Sequence, residues 1–571
     1  MEDNLPRKSD DDHRLTRRQW LGRIPMSVVA ASIGTELWMQ SDASAERVGK
    51  ATANDRGART YNIRDYGAKG DGITHDTKSI QDAIDACHSD DGGIVLVPAG
   101  VYLTGTIEIK SNITLRIAAA GKLLGSTDAK QYHAVDTIPL HGDSTLEDGN
   151  WALIYAVNAK NITIEGPGVI DGQGLQFHSA VRGTPPPSGL GGNKRPYHLL
   201  CYRCENLTVR NIDMLESAYH SIRVIQSRRV HMDGIYIHNR VNGNNDGFHF
   251  ISAEYVAISN CTIQSQDDAC ALFGSCKFVT VTNCSFSTRW SVFRFGGGVA
   301  QNISISNCVL YQVYGCPIKF HGRPGDRFEN MSFSNLVLDD VTGPIHISIG
   351  PEMRSSGEQE NKSPAVVRNI SFTNIHGTVT TSPAQLPDFP FRSGYRPGEG
   401  HSCVTLNCVG DAVLENISFD NVHLTFGGGG TAEEAARRDL PQIAGEYFML
   451  GPMPAYGFYA RNARAITLQN IRLETSQPDL RPALILDHAK DISINGLSVQ
   501  GNSKAESVLR FIDTEQALVT APRLLGTAAT FLRLEGAGSK EILVNGGDIS
   551  RAQQALAFQN GAEKEAVTVR A

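Results

Sequence analysis

A short pattern of apolar and polar positions recurs along the chain from residue 206 onward. Each copy holds two apolar residues separated by one spacer, and an asparagine often follows. The copies begin at Asn206, Arg229, Tyr255, Phe278, Asn302, Asn330, Asn369, Asn416, Ala465 and Asp491. From 206 to 330 the steps between them are 23, 26, 23, 24 and 28 residues. Strands with a two-residue period in a repeat of this length predict a parallel β-solenoid.

Two sets of identical residues support this interpretation. An asparagine falls five residues after the start of eight copies, at Asn211, Asn260, Asn283, Asn307, Asn335, Asn374, Asn421 and Asn470. Stacked at one corner, their amides are expected to bond one another and the turn backbone. Cys261, Cys284 and Cys308 follow that asparagine in three consecutive copies, and we expect a small apolar stack in the core.

The N-terminal part of the repeat region carries a helical pattern instead. Helical spacing relates four apolar residues, namely Ile80, Ala83, Ile84 and Cys87. They predict a short helix that closes the open end of the solenoid. The preceding glycine-rich segment 67–72 lacks the Lys-Ser/Thr of a phosphate loop, which favours a structural turn.

Regular spacing is lost near 340–400 and 425–460, and these segments are predicted to be loops that shape a groove. Residues 61–571 are therefore expected to form one catalytic β-helix domain. Residues 1–45 resemble a twin-arginine export signal with Arg17-Arg18 and an apolar stretch at 24–33, and 46–60 form a linker. Export would place the protein in the periplasm or outside the cell. The alternative for 1–45 is a disordered tail with a chance arginine pair.

Composition narrows the classes of partner. The 571 residues carry charges of both signs with a formal net charge of −7, so nucleic-acid binding is not predicted. No other apolar run reaches the ~18–20 residues that a membrane span needs, so no span is predicted. Twin-arginine substrates fold in a reducing compartment, so no disulfide framework is expected among the eleven cysteines. Cys201 and Cys204 have the spacing of a redox or metal pair, but no second pair accompanies them, which favours two ordinary buried cysteines. A monomer is expected.

Candidate chemistry lies in two acidic segments. Asn244-Asn245-Asp246-Gly247 precedes Asp267-Asp268 by about one repeat, since Asp246 and Asp267 are 21 residues apart. Five residues lie about nine to eleven positions before the next repeat start, namely His220, Asp246, Asp267, Asp268 and Lys319. This places them on corresponding strands or strand edges of the coils, which stack ~4.8 Å apart. The three carboxylates are therefore predicted to share one cleft.

Paired carboxyl groups are what an inverting glycoside hydrolase requires. One protonated carboxyl donates to the leaving oxygen, and an ionised carboxylate ~6.5–9.5 Å away activates water. Crowding by neighbouring carboxylates would keep the acid protonated, and Lys319 would bind a substrate carboxylate. Two alternatives are turn-forming aspartates and a calcium site, but no further acidic run completes a calcium shell. No metal and no other cofactor is predicted.

These residues resemble glycoside hydrolase family 28, the polygalacturonases, from about Tyr61 to the end of the repeats. The motifs are residues 66–72, the segment 168–172, Asn244-Asn245-Asp246 in place of Asn-Thr-Asp, and Asp267-Asp268. The resemblance implies a divergent bacterial member with a right-handed, single-stranded parallel β-helix that degrades pectin with inversion. It also implies that Asp267 is the general acid and that Asp246 and Asp268 activate water.

Two family motifs are altered. No histidine of a Gly-His-Gly motif occurs near 290–292, and Arg-Ile-Lys is replaced by Pro317-Ile318-Lys319. In polygalacturonases these motifs hold the galacturonate carboxylate and assist the acid. Arg294, His321 and Arg323 are candidates to compensate. The predicted substrate-binding residues are Asn244, Lys319, Arg294, His220 and His321.

The leading hypothesis is an exported, inverting hydrolase of α-linked galacturonate or a related sugar in pectin-like polysaccharide or oligosaccharide. The long loops favour exo action or an oligosaccharide substrate. One alternative is a polysaccharide lyase on the same fold, with Arg294 or Lys319 as base. The other is a non-catalytic carbohydrate-binding β-helix, which the altered motifs favour and the three retained aspartates oppose.

Overall fold

The structure, a computed structural model, describes residues 55–139, 149–179, 184–351, 362–386 and 398–570. The predicted export signal and most of the predicted linker lie outside these residues. Within them, no helix has the length and apolar character needed to cross a membrane.

Successive coils pair in parallel and in register. Val230 pairs with Val256, and Val256 pairs in turn with Val279. Each full coil contributes a strand to each of three faces, called here the first, second and third faces. The predicted all-β fold, a parallel β-helix, is confirmed.

The first-face strands are Ile107–Glu108, Ala152–Val157, Tyr197–Tyr202, Ile222–Ile225, Phe248–Ile251, Cys270–Phe273, Ser291–Gly296, Cys316–Gly322, Ile345–Ile349, Val404–Cys408, Phe458–Arg461, Leu484–Asp487, Leu509–Ile512, Ala528–Glu535 and Ala552–Gln559. The second-face strands are Thr60–Asn62, Gly93–Val97, Ile113–Ile117, Lys160–Glu165, Glu205–Arg210, Arg228–Asp233, Glu254–Ser259, Lys277–Thr282, Lys490–Asn495, Glu515–Thr520, Lys540–Asn545 and Val567–Arg570. The third-face strands are Asp71–His75, Gly100–Thr104, Gly121–Gly125, Val169–Asp171, Asp213–Leu215, Tyr236–Asn239, Thr262–Ser265, Ser285–Thr288, Ser498–Val499 and Arg523–Leu524. Long strands run through both the second and third faces at Val299–Val313, Arg327–Val341, Val366–Val379, Val413–Phe426 and Arg464–Thr475.

The core is a continuous column of apolar side chains along the helix axis. The two apolar residues of each repeat point inward, as Val230 and Met232 do without any exposure. Phenylalanine rings at one level stack from coil to coil, with centroids 5.0 Å apart between Phe333 and Phe372 and 4.8 Å between Phe372 and Phe419. Like residues therefore meet like residues on neighbouring coils.

The predicted asparagine corner lies between the second and third faces. All eight asparagines have left-handed backbones with φ of 50–56°, a conformation that asparagine tolerates better than most residues. The amides of Asn335, Asn374, Asn421 and Asn470 each donate to the asparagine side-chain oxygen of the preceding coil, at 2.8–3.0 Å. The ladder is thus confirmed over these coils. The predicted cysteine stack is also confirmed, since Cys261, Cys284 and Cys308 are at most 2% exposed.

The predicted capping helix is confirmed as Thr77–Ser89, which buries all four of the apolar residues that predicted it. A second, short helix, Ala432–Ala436, begins with a capping box between Thr431 and Glu434. It belongs to the segment 427–457, called here the long loop, which connects Val413–Phe426 to Phe458–Arg461. All eleven cysteines fall in the described residues, where each is buried and outside any disulfide.

Candidate active site

The two acidic segments lie on adjacent coils where the chain enters the first face. Asp246 precedes the strand Phe248–Ile251, and Asp268 precedes Cys270–Phe273. Gly247 N donates to Asp268 O at 3.0 Å, and Asp267 N donates to Asn245 O at 3.2 Å. These backbone bonds bring the three carboxyl groups into one cleft.

The paired asparagines before Asp246 have different surroundings. The buried Asn245 amide donates to the carbonyls of Ser217 at 3.0 Å and Tyr219 at 2.7 Å. Its side-chain oxygen accepts from Val241 N at 3.0 Å. Asn244 is exposed at the rim of the cleft. Asn245 therefore holds the loop in shape, and Asn244 is the residue of the pair that faces solvent.

Asp246 lies between two histidines. His220 Nδ1 is 2.8 Å from one of its carboxylate oxygens, and His249 Nδ1 is 2.7 Å from the other. Burial raises the pKa of Asp246 to about 6, although the hydrogen bond from His249 opposes that rise. Burial lowers the pKa of His249 to about 4, so this ring is neutral near neutral pH and donates to an ionised Asp246.

Asp267 is surrounded by like charges. Burial, followed by the charges of Asp246 and Asp268, raises the pKa of Asp267 well above its usual range. Asp268 accepts a hydrogen bond from Ser291 N at 3.2 Å, and Arg294 Nε lies 3.6 Å from its other oxygen. Burial and the two neighbouring carboxylates therefore favour the protonated form of Asp267.

Two cations continue the cleft along the first face. Arg294 and Lys319 are register neighbours on consecutive strands. Glu446, from the long loop, bridges them: Oε1 is 3.1 Å from Arg294 Nη1 and Oε2 is 2.7 Å from Lys319 Nζ. Burial raises the pKa of Glu446, but Lys319 and Arg294 outweigh it and hold that pKa below its usual range. This carboxylate is therefore ionised.

The segment in which the resemblance expects a histidine contributes in other ways. The Trp290 ring lies beneath Lys319, whose Nζ is 5.0 Å from the ring centroid. Ser291 supplies the backbone donor to Asp268. His321 is half-buried on the strand of Lys319, and burial lowers its pKa to about 4. A neutral His321 therefore adjoins the cation pair.

Stacked rings form one wall of the cleft. Tyr219 stacks on His220 with centroids 4.5 Å apart, and His220 lies 4.7 Å from His249. Phe273 extends the stack at 5.1 Å from His249 and carries the Arg294 guanidinium 5.3 Å above its centroid.

One set of residues in the cleft has the spacing of metal ligands. Among the described residues, atoms of His220, Asp246 and His249 lie within 4.8 Å of one another. His249 Nδ1 is hydrogen-bonded to one Asp246 oxygen at 2.7 Å, and His220 Nδ1 lies 2.8 Å from the other.

Every residue predicted for the site lies along the first face or its rim. His220, which was predicted to bind substrate, lies against Asp246, with Nδ1 2.8 Å from one carboxylate oxygen. Two residues were missed. His249 follows Asp246 by three positions, so its proximity could have been read from the sequence. Glu446 is 127 residues from Lys319, in a segment without repeat register, and no sequence signal marks it.

A parallel β-helix whose cleft brings three carboxyl groups together has the arrangement that glycoside hydrolysis requires. The model for glycosyl hydrolases family 28 matches residues 87–387, more than half of the chain, and the chain belongs to this family.

Individual relatives are distant. The chain is 26% identical over 387 residues to a polygalacturonase of Malus domestica, which covers 65% of this chain and 75% of the relative. A hyperthermoactive exopolygalacturonase from Thermotoga maritima has a TM-score of 0.54 and 20% identity, covering 73% of this chain and 92% of that one. A family 28 exopolygalacturonase of Yersinia enterocolitica has a TM-score of 0.55 and 18% identity, covering 77% and 79%. At such identities the structural likeness concerns the fold.

Proposed function

We propose that this protein is an inverting hydrolase that cleaves an α-linked galacturonate or related sugar in pectin-like polysaccharide or oligosaccharide. The observation that carries the proposal is the contrast between two neighbouring carboxyl groups. The pKa of Asp267 is raised well above its usual range by burial and two carboxylates, whereas Asp246 is hydrogen-bonded to His249 and has His220 Nδ1 2.8 Å from its other oxygen. Relatives named polygalacturonase and exopolygalacturonase support the pectic substrate.

In this mechanism Asp267 donates its proton to the glycosidic oxygen as the bond to the departing sugar breaks. Asp246 and Asp268 orient a water on the other side of the ring and accept its proton. His220 and His249 keep Asp246 ionised and oriented. Asn244, Arg294, Lys319 and His321 line the path along which the substrate binds.

The test is release of reducing sugar from a panel of pectic glycans. The wild-type protein should cleave at least one of them with inversion, and Asp267→Asn should lose nearly all turnover, on the order of 10²-fold or more, while remaining folded. Near-wild-type turnover in Asp267→Asn would contradict the assignment. Ultraviolet absorbance that grows during digestion would instead indicate unsaturated products and hence a lyase.

Export is a second part of the proposal. The support is Arg17-Arg18 followed by the apolar stretch 24–33, which together resemble a twin-arginine signal. Cells producing the chain should deliver it to the periplasm or the medium. Replacement of both arginines by lysine should keep it in the cytoplasm. An unchanged distribution would exclude this signal.

A further inference from the structure

A carboxylate of the protein itself forms ion pairs with the two cations, Lys319 and Arg294, that lie beside the aspartates proposed to be catalytic. Glu446 lies 2.7 Å from Lys319 Nζ and 3.1 Å from Arg294 Nη1. Lys319 is only 1% exposed, and its ammonium is packed on Trp290. Arg294 also faces Asp268. Both cations that could receive a substrate carboxylate therefore already have carboxylate partners.

The long loop holds Glu446 firmly in this position. The residue before it, Gly445, is bound twice: its carbonyl oxygen lies 3.0 Å from His346 Nε2, and its N–H donates to Ser348 Oγ at 3.2 Å. Asn407 donates to Ile443 O at 2.9 Å. On the other side the loop returns to the cleft wall, where the Phe448 ring lies 5.9 Å from Trp290. These contacts hold the long loop, and Glu446 with it, against the first face.

This arrangement disfavours a negatively charged sugar at that point. A uronate carboxylate directed at Lys319 or Arg294 would approach the Glu446 carboxylate, whose side chain is only 17% exposed, and like charges repel more strongly where water screens them less. To replace Glu446 it would have to separate a half-buried carboxylate from both of its cation partners, which is costly. A neutral sugar meets neither penalty. Specificity through repulsion of the wrong ligand is a common device in binding sites.

We propose that the sugar bound beside Asp267 is uncharged where galacturonate carries its carboxylate, and that Glu446 is the specificity-determining residue. This inference rests on the proposed function and narrows its substrate. Glu446 acts through Lys319 and Arg294, whose Nζ and guanidinium it neutralises. The substrate class is then a pectic glycan with a neutral sugar at the scissile bond.

Two matched polymers test this inference. One is polygalacturonan, and the other is the same polymer after reduction of its carboxyl groups to primary alcohols, which leaves linkage and stereochemistry unchanged. The wild-type protein should show a kcat/KM at least about tenfold higher on the reduced polymer, because a charged hydrogen bond typically governs that much discrimination. Glu446→Gln should lower this preference about tenfold or more, and Glu446→Asp, which keeps the charge, should retain it.

Two outcomes would overturn the inference. One is a wild-type preference for polygalacturonan. The other is an equal loss on both polymers in Glu446→Gln, which would mean that Glu446 only supports the structure.

Binding separates this inference from the proposed function. Neutral and acidic trisaccharides are titrated into Asp267→Asn and into Asp267→Asn/Glu446→Gln by calorimetry. If no glycan is hydrolysed, the proposed function fails, yet tighter binding of the neutral trisaccharide that depends on Glu446 still supports the inference. Equal affinities for the two trisaccharides overturn it.

Discussion

Two buried aspartates one coil apart have different immediate neighbours. Asp246 has a histidine nitrogen within 2.8 Å of each oxygen, so its ionised form is stabilised. Asp267 is buried and close to two carboxylates, and both effects favour its protonated form. The same residue type thereby acquires two roles from its surroundings, which is the usual way that paired carboxyl groups are assigned as acid and base.

His249 should set the acid limb of the pH profile. Activity needs ionised Asp246, whose pKa is raised to about 6, so kcat/KM should fall as the pH drops through that value. The hydrogen bond from His249 lowers this pKa, and His249→Phe should therefore move the limb to higher pH. The measurement is kcat/KM against pH. His376→Phe, an exposed histidine on the long strand Val366–Val379, is the matched control and should leave the limb in place. A limb that stays fixed or moves to lower pH in His249→Phe would contradict the role of His249.

At the scale of the strands, whether a strand could be predicted from the sequence depended on the exposure of its outer side to solvent. Second-face strands such as Arg228–Asp233 alternate buried and exposed residues, so their two-residue period is visible in the sequence. The first-face strand Phe248–Ile251 is buried on both sides because the cleft and its loops cover its outer surface. Its residues lose the alternation, and the repeat is recognisable only through its neighbours. The asparagine corner was predictable because few other residues adopt its backbone conformation.

The long loop marks the limit of this reasoning. The aspartates were brought together correctly because strand register converts a spacing of 21 residues into adjacency on successive coils. Glu446 has no such register: its position depends on bonds that neighbouring loop residues make to Ser348, His346 and Asn407, and these form only once two separate coils are stacked. The sequence therefore predicted the cluster of carboxyl groups but not the residue that neutralises the cations beside them.

At the scale of the whole molecule, a stack of strands has an open end that another chain can pair with. The helix Thr77–Ser89 covers the N-terminal end. Its Gln81 amide donates to Glu108 O at 3.2 Å and accepts from Glu108 N at 2.9 Å, so a side chain replaces the missing strand. Thr77 Oγ1 likewise accepts from Gly105 N at 2.8 Å. The helix thus combines apolar burial with satisfaction of edge hydrogen bonds.

This role predicts that loosening the helix causes association without altering the catalytic cleft. Ile84 lies on the inner face of this helix and is fully buried. Ile84→Asp should lower the free energy of unfolding by at least about 3 kcal/mol, because it removes apolar packing and buries a charge. The expected result in sedimentation velocity is a wild-type monomer and concentration-dependent oligomers of Ile84→Asp, with a lower urea midpoint. Lys78→Asp, on the exposed side of the same helix, should resemble the wild type. A monomeric Ile84→Asp of unchanged stability would mean that the helix does not protect this end of the solenoid.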